Sequence, residues 1–128
     1  MIVADTDVLI DFLEGRQPGA RAVAAALAAG RLQTTVINCF ELLCGARQVR
    51  QRKAVHALLD SVPALGLDRD AAQKAAETRM ELDRLGVTIG MADSLIAGIV
   101  LLHGATLLTR NRRHFERVPL LSLADLTA

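Results

Sequence analysis

Ile2-Val3-Ala4-Asp5-Thr6-Asp7-Val8-Leu9-Ile10 decides the fold. A short apolar run of strand length ends on a carboxylate. A helical pattern starts at once, with Val8, Leu9, Phe12 and Leu13 on one face. A strand that turns directly into a helix opens a β–α unit, and the same alternation continues along the chain. Ile2–Asp5 reads as a buried strand, followed by a helix capped by Thr6 or Asp7. Pro18-Gly19 breaks the chain, and an Ala-rich helix runs to about Ala29 and stops at Gly30. Gln33–Val36 reads as the second strand. Asn38 then caps a helix that carries Glu41 in capping-box register, and Gly45 ends or kinks it.

Gln48–Leu59 continues as a further helix, Pro63–Leu67 as a brief strand, and Asp70–Leu85 as a polar amphipathic helix stopped by Gly86. Met91–Leu102 is an apolar helix, Ala105–Thr109 a strand, Asn111–Phe115 a turn and Val118–Leu121 the last strand. Strands alternating with helices predict an α/β fold, its parallel sheet covered on both faces. No repeat, linker or low-complexity tract interrupts the 128 residues, which are expected to form a single domain, 1–128.

Composition narrows the function. The chain is 52% hydrophobic, yet no uninterrupted apolar stretch reaches the roughly 18 residues a membrane span requires. Asp5, Asp7 and Asp11 break the N-terminal apolar run, so no signal peptide is expected. Cys39 and Cys44 lack metal-site spacing and read as free thiols, consistent with a reducing cytoplasm. A net charge of +1 excludes a general polyanion binder, but basic residues cluster at Arg47, Arg50, Arg52 and Lys53, and again at Arg110, Arg112, Arg113 and Arg117. With no Trp or Tyr and only Phe12, Phe40 and Phe115, stacking of bases on an aromatic platform is not expected. Nucleic-acid contact would rest on phosphates and shape.

Three acids stand in apolar surroundings: Asp5 after Ile2-Val3-Ala4, Glu41 inside Val36–Leu43, and Asp93 at the head of Met91–Val100. A buried carboxylate needs a partner, and no segment offers a matching buried Lys or Arg to these three. One shared cation is the economical solution. Hard oxygen ligands without Cys or His pairs favour Mg²⁺ or Mn²⁺. The predicted sheet gives the acids a common address, because ligands of open parallel sheets bind beyond the carboxyl ends of the strands. Asp5 ends one strand, Glu41 and Asp93 lie near helix starts, and Thr109-Arg110-Asn111 follow another strand. Each has a bland alternative: Asp5 and Asp7 as caps, Glu41 as a capping-box return, Asp93 as a helix-dipole acid, and His114 as a surface residue.

At these positions the chain resembles the PIN-domain ribonucleases, and within them the VapC toxins of toxin–antitoxin pairs. The likeness rests on Val3–Ile10, Phe40-Glu41-Leu42-Leu43-Cys44-Gly45-Ala46, Ala92-Asp93-Ser94-Leu95-Ile96-Ala97 and Leu108–Phe115. It implies a small three-layer α/β/α sandwich with a mostly parallel sheet and a metal-dependent endoribonuclease. Asp5, Glu41 and Asp93 would be metal-binding and catalytic acids, and cleavage would leave 5′-phosphate and 3′-hydroxyl ends. It also implies a homodimer neutralised by a VapB-type antitoxin, operator DNA being met only through that antitoxin. Thr6, Thr109 and Asn111 are expected to position groups or water, and Arg110, Arg112 and Arg113 to bind RNA phosphates. Many relatives have an acid at the position of Asn111 or His114, and neither is acidic here. That departure argues against a second tightly bound ion and keeps open a weakly catalytic, antitoxin-binding module. Asp5-Thr6-Asp7 also resembles the start of haloacid-dehalogenase-like phosphatases. With only Lys53 and Lys74 as lysines and no late acid pair, that chemistry lacks its other parts.

Overall fold

The computed structural model describes residues 1–126. Strand β1 (Ile2–Ala4) leads into α1 (Thr6–Glu14), which is followed by α2 (Gly19–Ala28), β2 (Leu32–Thr35), α3 (Val36–Gly45) and α4 (Val49–Ser61). Then come β3 (Ala64–Leu65), α5 (Arg69–Arg84), α6 (Met91–Leu102), β4 (Thr106–Leu108), α7 (Arg112–Phe115) and β5 (Ser122–Leu123). The five strands pair in the order β3-β2-β1-β4-β5, and every pairing is parallel. The chain works outward from β1 to β3, then returns to place β4 on the other side of β1. The switch in direction therefore opens a crevice between the carboxyl ends of β1 and β4.

Alternate strand residues feed two separate cores, as the period-2 geometry of a strand demands. Ala4 and Leu108 join Val8, Leu9, Val23, Leu42, Val55 and Leu58 on the face covered by α1, α2 and α4. Val3 and Leu107 join Leu82, Ile96, Val100 and Phe115 on the face covered by α5, α6 and α7. A sheet buried on both faces between helical layers is the α/β/α sandwich the alternation predicted.

Several expected boundaries move, each for a local reason. Asp5 is not the last strand residue but the N-cap of α1, accepting the Thr6 N–H at 2.8 Å, so Thr6 and Asp7 lie inside the helix. Thr35, not Asn38, caps α3, its hydroxyl accepting the Asn38 N–H at 3.2 Å. The capping box expected between Asn38 and Glu41 is therefore not formed; α4 carries one instead, between Gln48 and Gln51. The expected turn at Asn111–Phe115 is mostly the short helix α7. Val118–Leu121 is a turn rather than a strand: Val118 donates to Phe115 and Leu121 to Val118, while Leu120 takes φ 67°. Pro119 has no N–H for a ladder, and the strand forms only at Ser122–Leu123.

Helices α5 and α6 pack closely at Gly98. A Cβ on Gly98 would lie 2.6 Å from both the Cβ and the backbone N of Ala75. Gly98→Ala gains up to about 1 kcal/mol of helix propensity but overpacks backbone against backbone, at about 1–3 kcal/mol. A net loss of stability is expected in urea unfolding, and a stabilised variant would contradict this packing.

Candidate active site

One hydrogen-bonded chain threads the crevice. Glu41 Oε1 accepts from the Thr6 hydroxyl at 2.6 Å, and Thr6 Oγ1 accepts from Asn38 Nδ2 at 3.0 Å. The same Asn38 nitrogen donates to Asp5 Oδ1 at 2.9 Å, while Thr109 Oγ1 donates to Asp5 Oδ2 at 2.7 Å. Asn111 N donates to Thr109 Oγ1 at 3.0 Å. His114 Nδ1 then lies 2.9 Å from Asn111 Nδ2 and 3.2 Å from Asp93 Oδ2. Residues from the β1–α1 junction, α1, α3, α6 and the segment after β4 thus meet across the switch point.

Local structure explains each placement. Asp5 is where β1 stops and α1 begins, so its side chain both caps the helix and points over the strand end. Asn38, fully buried, sits three residues into α3, its amide oxygen held by the Thr35 hydroxyl at 2.7 Å. That bond aims both Asn38 N–H groups at Asp5 and Thr6. Asp93 lies in the first turn of α6, whose N-cap Gly90 offers no side-chain bond. The positive end of the helix dipole favours its charge there. The single His114 nitrogen serves one neighbour at a time: bare, it accepts from Asn111; protonated, it donates to Asp93.

The electrostatics are those of an acidic pocket short of positive charge. Burial pushes the Asp5 carboxyl above its ordinary value, and the charge of Asp93 pushes the same way. The bonds from Thr109, Thr6 and Asn38 only partly offset this. Asp7 is also raised, first by burial and then by Asp5, against the pull of Arg110. Its Oδ2 accepts the Arg110 N–H at 3.0 Å, but its Oδ1 is buried without a hydrogen-bond partner. Even so, among the described residues no three Asp, Glu, His or Cys side chains form a group that would hold a metal by themselves.

Other expected residues fare differently. Arg110 keeps an exposed side chain, but its Nε lies 2.7 Å from Oδ2 of Asp11, a residue only 2% exposed. Arg112 donates to the Ala124 carbonyl at 2.7 Å, while Arg113 is exposed. Sequence reading gave little weight to Asn38, Asp11 and His114. Asn38 looked like a cap, and Asp11, one turn beyond Asp7 among apolar neighbours, was the local sign of another buried acid. Its partner lies 99 residues away, beyond any local pattern. An apolar groove of about 270 Å³ adjoins the site, lined by Ile10, Leu13, Leu42, Val55, Arg50 and Glu41 itself. A second concavity of about 430 Å³ lies at the opposite edge of the sheet, near Arg31, Gln33 and Pro63, and has no acid in its lining.

Residues 2–121 match the PIN-domain family model, and the chain belongs to that family. Within the family it is 31% identical over 99 residues to the tRNA(fMet)-specific endonuclease VapC of Salmonella typhimurium, covering 74% of this chain and 75% of the relative. Ribonuclease VapC1 of Methanocaldococcus jannaschii is 24% identical over 120 residues, covering 91% and 80%. Among solved structures, DNA-bound VapBC from Salmonella typhimurium aligns with a TM-score of 0.87 and 26% identity, over 98% of this chain and 97% of that one.

A pH-dependent prediction follows from Asp5. Its folded-state pKa exceeds the unfolded one, so its ionisation disfavours the fold once pH rises above the ordinary value of 3.8, fully so above its raised value. Asn at this position keeps the Thr6 and Asn38 bonds on its oxygen and donates to Thr109, whose proton can turn to Asp7 Oδ2, 3.4 Å away. In the presence of EDTA, Asp5→Asn is expected to unfold at higher urea than wild type at neutral pH, the gap closing at acid pH. A wild type that is the more stable at neutral pH would refute the assignment.

Proposed function

We propose that this protein is an endoribonuclease toxin of the VapC kind, a single domain acting in the cytoplasm on RNA under the control of a VapB-type antitoxin. The carrying observation is the hydrogen-bonded chain from Glu41 through Thr6, Asn38, Asp5 and Thr109 to Asn111 at the sheet's switch point, with His114 within reach of both Asn111 and Asp93. Relatives named as ribonucleases and neighbours solved as VapBC complexes support the same reading. Among the described residues, no helix is long and apolar enough to cross a membrane.

The donors fit a hard divalent ion. Two raised carboxyls, an orphaned Asp7 oxygen and purely oxygen donors describe a site short of a cation. The lack of a complete protein cage suits Mg²⁺, or Mn²⁺ in its place, since Mg²⁺ is usually held by one or two carboxylates with water and substrate phosphate. Asp5, Glu41 and Asp93 would hold it, and when bound it supplies Lewis-acid charge to the phosphate and makes water more acidic. The chain's own groups do the rest. Thr109 and Asn38 fix both oxygens of Asp5, and Thr6 fixes Glu41. Glu41, half-buried with this one hydrogen bond, has capacity to take a proton from the attacking water. Asn111 orients His114 against Asp93, and Arg113, with the exposed parts of Arg112, meets flanking phosphates.

Mg²⁺ or Mn²⁺ is expected to raise the melting temperature of wild type but not of Asp5→Asn or Asp93→Asn, and both substitutions to abolish RNA cleavage. Metal-independent cleavage by either variant would remove the assignment. A second reading, a catalytically weak PIN domain serving mainly to bind antitoxin, is favoured by the non-acidic Asn111 and His114. Growth arrest that survives Asp93→Asn would select it.

Two surfaces suit partners. The groove beside Glu41 offers apolar walls and a carboxylate to an antitoxin segment. The apolar helix α6 is mostly consumed by the chain's own core, where Ile96, Ala97, Ile99 and Val100 are fully buried. Instead α3 exposes Val36 at 38%, Phe40 at 67% and Leu43 at 38%, a stripe at helical spacing that a second subunit would cover. Phe40→Glu is expected to convert a homodimer to monomer in light scattering. A wild-type monomer would remove the dimer.

A further inference from the structure

We infer that Arg110 is a positioning residue that orders the active site through its ion pair with the buried Asp11 carboxylate, and is not a contact to the RNA backbone; the inference rests on the endoribonuclease reading above.

Asp11 lies on α1, one turn beyond Asp7, and its side chain is 3% exposed. Its Oδ2 receives the Arg110 Nε, the donor nearest the backbone of that side chain, at 2.7 Å. Room for the carboxylate exists because residue 19 is glycine: a Cβ there would stand 2.3 Å from Asp11 Oδ2. Asp11 is thus pressed between α1 and the start of α2. Arg110 is fastened to α1 a second time, by its own N–H to Asp7 Oδ2 at 3.0 Å.

Those two attachments fix the residues on either side. Thr109 carries the hydroxyl that holds Asp5 Oδ2, and Asn111 donates to that same hydroxyl and reaches His114. Segment 109–111 is therefore the link between the Asp5–Glu41 half of the site and the Asp93 half. The Arg110–Asp11 pair is the anchor of that link. A phosphate clamp would engage RNA from the guanidinium tip, whereas this geometry spends the root of the side chain inward.

Asp11 separates the two roles, because a carboxylate buried under α2 can make no favourable phosphate contact. Asp11→Asn, Arg110→Gln, the double variant and Arg113→Gln are compared with the full wild-type chain for RNA cleavage in Mn²⁺ across a salt series. Circular dichroism melting checks the fold of each. Asp11→Asn and Arg110→Gln are each expected to lower kcat by roughly 10–100-fold, the scale of small misplacements in a site. KM and salt dependence should stay near wild type, and the double variant should be no worse than either single. Arg113→Gln is expected to raise KM and flatten the salt dependence. If a single variant does not fold, the double, which leaves no charge buried alone, decides on the same readouts. Wild-type kcat in Asp11→Asn, or in the double, overturns the inference. So does an Arg110→Gln variant with raised KM, a flattened salt response and wild-type kcat. A wild-type chain that cuts no RNA instead refutes the endoribonuclease reading itself.

Discussion

The burial of the Asp5 carboxylate is the constraint on which the rest of the structure depends. A charge only 7% exposed at the end of a central strand is tolerated because donors converge on both of its oxygens. Those donors come from three places: the first N–H of α1, the amide of Asn38 on α3, and the hydroxyl of Thr109 after β4. Each is worth more than a neutral hydrogen bond because the acceptor is ionised. Even together they leave the carboxyl raised. The fold thus holds an anion slightly under-compensated, as a site built to receive a cation or a phosphate-bound cation requires.

The sheet order makes this possible. β1 is flanked by β2 and β4, whose connections depart in opposite directions, so the carboxyl ends of the central strands are not roofed by a crossover. Two cores on opposite faces hold the strands rigid, with Val3 and Ala4, and Leu107 and Leu108, pointing to opposite sides. The polar groups therefore sit on strand ends and first helical turns rather than on long loops, which suits a site that must hold groups to fractions of an ångström. The pairing of buried Asp11 with Arg110 extends this logic to the residues just after β4.

Much of the fold was legible. The apolar helix read as Met91–Leu102 has those bounds in the structure, because its 12 residues begin after a glycine and end at His103-Gly104. Asp5, Glu41 and Asp93 were visible as acids in apolar company, and Thr6, Thr109 and Asn111 as polar residues next to them. Five of the six lie on one hydrogen-bonded chain, and Asp93 meets its end at His114. Asn38 was misread because a cap and a buried bridge share the same local pattern. Only the identity of Thr35 as the true cap, fixed by where β2 ends, separates them. The final strand was misplaced because Pro119 and the left-handed Leu120 close a turn where hydrophobicity alone suggested β structure.

The amino-acid sequence by itself determined the alternation of strands and helices, the apolar faces and the dry setting of Asp5, whereas Glu41 and Asp93 are only half-buried. These follow from periodicity and from the cost of burying charge, both properties of neighbouring residues. Tertiary structure alone decided the partners: Asp11 with Arg110 across 99 positions, Thr109 with Asp5 across 104, and Thr6 with Glu41 across 35. It also tied the Nε of one arginine to a buried acid and left an exposed apolar stripe on α3. The physical reason is that a buried charge demands a counterpart without specifying which. The topology of the sheet, by setting which strand ends meet, makes the choice.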